Sequence, residues 1–302
     1  MRNEPCYFAC YAIAEHCLGI IPDMPFLRLK YLLTFHKRLN LKDPVTYNEK
    51  LQWLKLNHRP DLYTELADKI SVRNYVRDLI GEEYLIPLLG VWERFAQIDF
   101  SELPDRFVLK CTHDSGSAAI CSDRSGAALR KTEQLFRIRL KRNFYLRNRE
   151  WVYKDIRPRI LAEPVIECRD GSAPGEYKVF CFDGKAEYIA VCLGKANTPE
   201  RTNDIYDRNG NLLDIQMNHP NSECGLSLSP ECFVRIINIA ERLACGIPHV
   251  RVDFYEACGK IYFGEMTFFP DGGFVHFDPP EWDRIFGEKI TLPGPAGKRK
   301  NC

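Results

Sequence analysis

The feature that most constrains the fold is a turn near the middle of the chain, where Asp183-Gly184 separates two alternating apolar runs. Both turn residues readily adopt positive φ, and such a pair between alternating runs is the strongest short signal for a β-hairpin. The flanking strands are predicted over residues 176–182 and 186–193. Because a tight hairpin joins antiparallel strands, an α+β arrangement is favoured over a doubly wound parallel sheet.

A second hairpin is predicted over residues 249–267, where charged side chains interrupt an apolar alternation. Strand periodicity places Arg251 and Asp253 on the same face of the first strand. A three-residue loop at 257–259 would bring Glu265 opposite Arg251 on the second strand. The sequence therefore predicts a cluster of charges on one face of the hairpin.

Two carboxylates, with the hydroxyl of Thr267 beside them on that face, suit Mg²⁺, which takes hard oxygen ligands and shares its shell with phosphates. The alternative is a salt bridge between Arg251 and Asp253 or Glu265 on a solvated face. The apolar surroundings disfavour a simple solvated face, since unpaired charge is costly there. Both interpretations stay open on the hairpin alone.

A strand predicted over residues 107–110 ends in Lys110 and continues into a loop of small polar residues at 111–117. A lysine beside the N–H groups of a tight loop suits a phosphate. The pattern is not a P-loop, because the lysine precedes Gly116 and no helix begins directly after the loop. A lysine that merely ends a strand is the alternative.

Residues 24–80 are predicted to be mostly helical, with one helix running from Leu62 to Leu79 and Gly81 at its C-terminal end. Asp68-Lys69 on this helix and Lys178 within a strand would ordinarily be surface charges. Each is a weak functional candidate by itself.

The segment of residues 130–159 carries eleven Lys and Arg against three Asp and Glu. A solvated basic helix is the ordinary explanation, and an anionic substrate or an anionic membrane surface is the alternative. The formal net charge of the whole chain is only +1, so there is no bulk electrostatic case for nucleic acid as a partner.

Thirteen cysteines are present, an odd number, and we expect that no secretory signal precedes them. We therefore expect reduced, mostly buried thiols in a cytosolic protein. The apolar run at 6–21 contains Glu15 and His16 and is too short to span a bilayer. Zinc is disfavoured, since no C-x-x-C spacing occurs and only Cys6 and Cys10 approach a ligand pair.

Taken in order, these features resemble the ATP-grasp superfamily, from Asp68-Lys69 at the start through the Lys110 strand to the charged hairpin. Four longer stretches closely resemble its TupA-like branch: residues 47–54, 110–116, 177–185 and 263–268. That branch is associated with the biosynthesis of teichuronopeptide, capsule and other surface polysaccharides. The resemblance extends over residues 25–290.

The resemblance implies an ATP-grasp fold, in which two α+β subdomains grip ATP, preceded by a mostly helical N-terminal region. The implied boundaries are residues 1–104 for the helical region and 105–302 for the ATP-grasp domain. Within that domain, residues 105–165 would carry the lysine and the covering loop, and residues 166–302 the metal-binding acids.

The resemblance also implies roles for individual residues. Lys69 and Lys110 would contact phosphates, and Glu163 with the Val165 backbone would meet adenine. The full set implied to bind ATP is Lys69, Lys110, Thr112, Ser115, Gly116, Ser117, Glu163, Val165 and Glu176. Lys178 and Arg251 would act in catalysis, and Asp253, Glu265 and Thr267 would hold Mg²⁺. Thr267 stands where the family usually has asparagine, which leaves open whether one magnesium binds or two.

The implied activity is an ATP-dependent carboxylate–amine ligase acting on a small molecule or glycan in surface-polysaccharide biosynthesis. A cytoplasmic location is expected, with peripheral contact to membrane-linked polysaccharide machinery at the inner face of the membrane. The alternatives are a glycosyltransferase, an ATP-grasp kinase and a non-catalytic assembly subunit. For the ligase, Asp253→Asn or Glu265→Gln is expected to abolish ATP turnover and leave the fold intact.

Overall fold

The computed structural model describes residues 19–168, 171–194, 198, 200–222 and 228–294. The chain divides into two compact units, each assembled from three segments. Unit 1 comprises Met1–Phe26, Pro60–Val72 and Ile86–Ile166, and unit 2 comprises Leu27–Arg59, Arg73–Leu85 and Glu167–Cys302. The division at residues 104 and 165 that the resemblance implies stays a prediction.

The secondary structure of the described residues mixes helices with antiparallel strands. The helices are α1 (Asp23–Phe35), α2 (Tyr47–Asn57), α3 (Leu62–Ala67), α4 (Val72–Ile80), α5 (Gly126–Arg139), α6 (Tyr145–Asn148), α7 (Pro230–Ala244) and α8 (Trp282–Glu288). The strands are β1 (Gly90–Trp92), β2 (Phe107–Cys111), β3 (Ala119–Cys121), β4 (Ile160–Pro164), β5 (Gly175–Phe182), β6 (Lys185–Leu193), β7 (Thr202–Asp207), β8 (Gln216–Met217), β9 (His249–Ala257), β10 (Lys260–Thr267) and β11 (Phe277–Asp278). Single 3₁₀ turns occur at Glu82–Tyr84, Phe95–Gln97, Trp151–Tyr153 and Pro270–Gly273.

Unit 1 is built around a four-stranded antiparallel sheet in the order β1-β4-β2-β3. The alternation along β2 buries Phe107, Leu109 and Cys111 completely, and Phe136 of α5 packs into the same core. Because side chains alternate along a strand, Lys110 lies on the face of β2 away from this core.

Unit 2 contains a five-stranded antiparallel sheet in the order β10-β9-β5-β6-β7, together with a short pairing of β8 with β11. The hairpin of β5 and β6 is confirmed, and Asp183 and Gly184 form its turn with φ of 48° and 81°. Helix α7 begins at the N-cap Ser229, with Pro230 in its first turn, and buries an apolar stripe that includes Ile236 and Leu243.

The turn between β9 and β10 differs from the prediction. Ala257 pairs with Lys260, so the loop has two residues, Cys258 and Gly259, with φ of 53° and 82°. Two consecutive residues at positive φ form the tight turn whose twist matches that of the flanking strands. The predicted three-residue loop, and the pairing of Arg251 with Glu265 that followed from it, are therefore wrong.

A bulge further along β10 restores the predicted face. The register shifts by one residue between Phe263 and Glu265, and Glu265 then pairs with Asp253. Gly264 occupies the bulge, where a Cβ would approach the carbonyl oxygen of Asp253 to 3.0 Å. Without this extra residue the carboxylate of Glu265 would point to the opposite face of the sheet.

The single helix predicted from Leu62 to Leu79 is also wrong, because the chain forms α3 and α4 with a turn between them. Asp68 is extended, with ψ of 118°, and its carboxylate accepts hydrogen bonds from Ile70 N at 3.1 Å and Ser71 Oγ at 2.8 Å. An aspartate that caps the backbone in this way competes with helix continuation. Lys69 therefore lies in a turn and not on a helix.

Most described cysteines are free, as expected: Cys111, Cys121, Cys168, Cys181, Cys192, Cys232 and Cys258. Cys245 is disulfide-bonded, so the expectation of a reduced thiol is wrong for this residue. Sequence spacing does not reveal which cysteines meet in space. Cys6, Cys10 and His16, the weak zinc candidates, lie outside the described residues. Across the part of the chain that the structure describes, every helix is too short or too polar to cross a membrane.

Candidate active site

The predicted site residues fall into two groups, one in each unit. The lysine cluster, in unit 1, comprises Lys69, Lys110, Thr112, Ser115, Gly116, Ser117, Glu163 and Val165. The ion-pair cluster, in unit 2, comprises Glu176, Lys178, Arg251, Asp253, Glu265 and Thr267.

Within the lysine cluster, Lys110 and Glu163 form an ion pair across neighbouring strands. Lys110 Nζ lies 2.6 Å from Glu163 Oε2, and both side chains are mostly buried. Glu163 pairs with Val108 in the register of β2 and β4, so its side chain lies diagonally to that of Lys110 on the same face. Val165 lies two residues after Glu163, directly after the end of β4.

The loop after β2 is closed by its own side chains. Ser117 Oγ accepts a hydrogen bond from Cys111 N at 2.8 Å, and Thr112 Oγ1 contacts the Arg157 carbonyl at 3.2 Å. Thr112 and Ser117 are buried, whereas Ser115 and Gly116 are exposed. The hydroxyls of Thr112 and Ser117 therefore hold the loop in shape, and its tip is what solvent or a ligand meets.

Lys69 is attached to the same loop. Its Nζ donates to the main-chain oxygen of Asp114 at 2.5 Å, and its backbone N–H points to the Thr112 carbonyl at 3.4 Å. The Asp114 carboxylate in turn accepts from Arg139 at 3.0 Å. The structure thus brings Lys69 to the loop, although the two are 45 residues apart in sequence.

Several arginines of the basic segment 130–159 form ion pairs or hydrogen bonds within unit 1. Arg139 pairs with Asp114, Arg159 pairs with Asp68 at 2.8 Å, and the buried Arg149 donates to the Ile21 carbonyl. The segment is therefore not a uniformly solvated basic face. Sequence reasoning missed these roles because the partners are distant along the chain.

In the ion-pair cluster, opposite charges alternate along a continuous chain of contacts. Arg201 Nη2 lies 2.6 Å from Glu176, whose other oxygen lies 2.6 Å from Lys178 Nζ. Lys178 also contacts Asp253 Oδ2 at 2.7 Å, and Arg251 binds both oxygens of Asp253 at 2.7 and 2.8 Å. Cross-strand pairing of Lys178 with Asp253 between β5 and β9 produces this arrangement.

The contacts within the cluster keep Glu176, Lys178 and Arg251 charged. Burial raises the pKa of Glu176, but Lys178 and Arg201 outweigh it and bring that pKa down to about 2. Burial lowers the pKa of Lys178, and Asp253 and Glu176 reverse this and hold it above the usual range. The pKa of Arg251 is raised in the same way, mainly by Asp253 against the effect of burial. Lys178 and Arg251 are therefore fixed positive charges and not proton donors.

Glu265 and Thr267 complete the predicted face. Thr267 Oγ1 contacts Glu265 Oε1 and Arg251 Nη2, each at 3.3 Å. The Glu265 side chain is 27% exposed, against 6% for Asp253, and it lies 3.9 Å from Arg251. Glu265 is the more accessible of the two predicted metal-binding carboxylates.

These donors fit one Mg²⁺ that shares its shell with phosphate oxygens. Among the described residues there is no group of three or more His, Cys, Asp and Glu that could hold a metal ion. Mg²⁺ commonly binds through only one or two carboxylates, with phosphates and water as its other ligands. Asp253 and Glu265 can supply these two carboxylates. Both Asp253 oxygens already accept from cations, so a metal has to share or replace those contacts.

Arg201 contacts the ion-pair cluster through Glu176, and sequence reasoning missed it. Its guanidinium donates to Glu176 and, at 3.0 Å, to the Gly194 carbonyl. It precedes β7, outside any alternating run, and its carboxylate partner is 25 residues away. The local pattern of the sequence therefore carries no signal for its role.

The segment after β10 is anchored by polar side chains of α2. Lys55 is completely buried, and its Nζ donates to the Gly272 carbonyl at 2.5 Å and to Gln52 Oε1 at 2.9 Å. Gln52 Nε2 donates to the Gly273 carbonyl at 2.6 Å. Asp271, Gly272 and Gly273 all have positive φ, so these contacts hold a turn that most residues adopt with strain.

We expect Lys55→Met to lower the free energy of unfolding by about 1–3 kcal/mol, because buried acceptors lose their donor while the volume is roughly kept. Urea unfolding followed by circular dichroism measures the difference. Lys37→Met, at an exposed lysine, is the control and should change little. Equal stability of the two variants would contradict the anchoring role.

Stability should also depend on the ionisation of Glu176. Its pKa is depressed in the folded state from 4.5 to about 2, so its pairing stabilises the fold above pH 4.5, and this contribution is lost as the pH falls towards 2. We expect Glu176→Gln to flatten the pH dependence of urea unfolding in that window. A variant with the same slope as the parent chain would contradict the ion pairs.

The fold and these polar faces define an α+β protein of the ATP-grasp type, as the resemblance implied. The chain belongs to the TupA-like ATP-grasp family, whose model matches residues 49–291. No curated protein matches the chain by sequence.

Solved structures of ATP-grasp ligases are similar to the chain at low identity. D-Alanine–D-alanine ligase from Bacillus anthracis, complexed with ATP, is 16% identical over 67% of this chain and 55% of its own, with a TM-score of 0.38. The Helicobacter pylori enzyme is 11% identical over 82% and 67%, with a TM-score of 0.45. PsnB with minimal precursor, Mg and ADP is 9% identical over 73% and 57%, with a TM-score of 0.39. The match thus spans little more than half the length of the first and third of these chains.

Proposed function

We propose that the chain is an ATP-dependent carboxylate–amine ligase. The observation that carries this proposal is the ion-pair cluster, in which two fixed cations and two carboxylates occupy neighbouring strands of one sheet. Phosphoryl transfer needs little covalent help from a protein and depends mainly on positioned charge. Membership of the TupA-like ATP-grasp family supports the same chemistry.

The reaction has two steps. A carboxylate oxygen of the substrate attacks the γ-phosphorus of ATP, the bond to the β-phosphate oxygen breaks, and ADP leaves. The lone pair of an amine then attacks the acyl carbon, the bond from carbon to the phosphate oxygen breaks, and inorganic phosphate leaves as the amine loses a proton. Lys178 and Arg251 would stabilise negative charge on the transferring group and on the tetrahedral intermediate.

Asp253 and Glu265 would hold Mg²⁺, with Thr267 as a weaker neutral ligand. When bound, the metal would neutralise charge on the phosphate oxygens. The two cations beside Asp253 favour binding of the metal together with a nucleotide, because phosphate oxygens could then take over their contacts.

In the lysine cluster, Lys69 and Lys110 would bind phosphates. The loop tip at Ser115 and Gly116 is exposed, and its backbone N–H groups would bind an anion, while Thr112 and Ser117 keep the loop in shape. Glu163 and the Val165 backbone would meet the adenine. The ion pair of Lys110 with Glu163 fixes the orientation of the lysine side chain.

We propose a substrate from cell-surface polysaccharide biosynthesis, either a uronic acid that becomes amidated or a glycan that receives an amino acid. This rests on the family association and on the acceptor chemistry of a carboxylate–amine ligase. The activity would take place in the cytoplasm, where ATP is available.

The test is a screen for ADP release with Mg-ATP and pairs of uronic acids and amines, followed by mass spectrometry of the product. An amide formed together with one ADP and one phosphate is the expected result. A stable phosphorylated product without amide would identify a kinase instead. Sugar transfer from a nucleotide sugar without ATP would overturn the proposal in favour of a glycosyltransferase.

A further inference from the structure

Helix α1 is apolar on both of its faces. Leu27 and Tyr31 are buried against the protein, as is usual for the inner face of a surface helix. Leu29, Leu32 and Leu33 lie on the opposite side and are 52%, 45% and 68% exposed. The outer face of a surface helix is ordinarily polar, and an exposed apolar patch marks an interaction site.

Residues 24–42, which follow Asp23 at the start of α1, carry only cations as charged side chains. Between Asp23 and Asp43 the sequence contains no Asp or Glu. Its cations are Arg28, Lys30, Lys37, Arg38 and Lys42. Arg28 lies on the exposed side beside Leu29, and Lys37 and Arg38 are exposed just after the helix ends. The apolar face is therefore bordered by positive charge.

We propose that α1 lies in the plane of an anionic membrane surface, with its three exposed leucines in the acyl boundary and Arg28, Lys37 and Arg38 at the headgroups. Its 13 residues span about 20 Å, enough for an interfacial helix and too few to cross the bilayer. Apolar burial and attraction to anionic lipid act together in such helices.

Charge and side-chain type favour a lipid surface over a protein partner. A second copy docked through the same face would bring two sets of like charges together, which opposes association. The residues that contribute most to binding between proteins are usually Trp, Tyr or Arg, and leucine is under-represented among them. Leucines bordered by cations are typical of a helix at a membrane interface.

This inference is independent of the proposed ligase activity. It concerns the position of the chain relative to a membrane, and a catalytically silent protein would bind in the same way. A result that contradicts membrane binding by α1 would therefore not contradict the ligase activity, and the reverse also holds.

The test is co-sedimentation of the full chain with vesicles of phosphatidylcholine and phosphatidylglycerol, compared with vesicles of phosphatidylcholine alone. We expect binding to the anionic vesicles that weakens as salt is raised. The double variant Leu29→Asp/Leu33→Asp should bind at least about tenfold more weakly, because two apolar contacts are lost and two like charges face the lipid. Arg28→Glu/Lys37→Glu should lose the preference for anionic vesicles.

Leu212→Asp is the matched control, since Leu212 is 55% exposed and lies outside α1, and its binding should equal that of the parent chain. All variants are checked for unchanged thermal unfolding, which is expected because the replaced side chains are exposed. Absence of binding to anionic vesicles, or full binding by the double leucine variant, would overturn the proposal. So would a parent dimer in light scattering that the leucine variant abolishes, since a second copy would then be the occupant.

Discussion

Glu265→Gln should reduce ATP turnover by at least about a hundredfold while the protein remains folded. The substitution keeps the shape of the side chain and removes the charge that would face Mg²⁺. The carboxylate is partly exposed, and Arg251, which lies 3.9 Å from it, is bound more closely by Asp253. Loss of this charge should therefore cost the fold little.

ADP release with Mg-ATP and an accepted substrate pair measures the effect, and thermal unfolding monitors the fold. Glu256→Gln on the same hairpin is the matched control, because glutamine retains the oxygen that accepts from Gly259 N. The control should turn over like the parent chain. Unchanged ADP release by Glu265→Gln would remove this residue from the metal site.

Asp253→Asn should both abolish turnover and destabilise the fold, by about 3–5 kcal/mol. The carboxylate contacts Lys178 Nζ at 2.7 Å and Arg251 at two atoms, and the Asp253 side chain is only 6% exposed. Its neutralisation leaves two mostly buried cations close together without their shared anion. From the sequence alone, Asp253 and Glu265 were expected to tolerate the change equally, and the ion pairs now separate them.

Urea unfolding at neutral pH measures this loss of stability. The double variant Lys178→Met/Asp253→Asn should recover part of it, because one of the two cations that lost the Asp253 carboxylate is gone, and the two substitutions should then be non-additive. A free energy of unfolding in Asp253→Asn equal to that of the parent chain would show that these ion pairs do not stabilise the fold.

The hairpin of β9 and β10 shows which structural features the alternation of residues along a strand can predict and which it cannot. Alternation correctly placed Arg251 and Asp253 on one face, because period-2 geometry follows directly from the extended backbone. The turn length was predicted wrongly, and so was the register. The grouping of Glu265 with Asp253 holds only because the bulge at Gly264 offsets the shorter turn. A bulge depends on packing between strands, so alternation along one strand does not reveal it.

The helices also combine features that local sequence predicts with features that depend on tertiary contacts. The capping box of Thr46 with Glu49 begins α2, within the region of residues 24–80 that is predicted to be mostly helical. The break at Asp68 was missed, since apolar spacing continues across it from Leu62 to Val76. The Asp68 carboxylate turns the chain there and also pairs with Arg159, which is 91 residues away.

The sequence by itself determined the two antiparallel hairpins, the mostly helical character of residues 24–80 and the residue types at the candidate site, because these follow from periodicity and turn chemistry within a few residues. Only the tertiary structure decided which charges meet. Arg201 forms an ion pair with Glu176, and the buried Lys55 donates a hydrogen bond to the Gly272 carbonyl. Two arginines of the basic segment form ion pairs with acidic residues inside unit 1. Such pairings join positions far apart in the chain, and the favourable energy of an ion pair exists only once folding has brought its partners together.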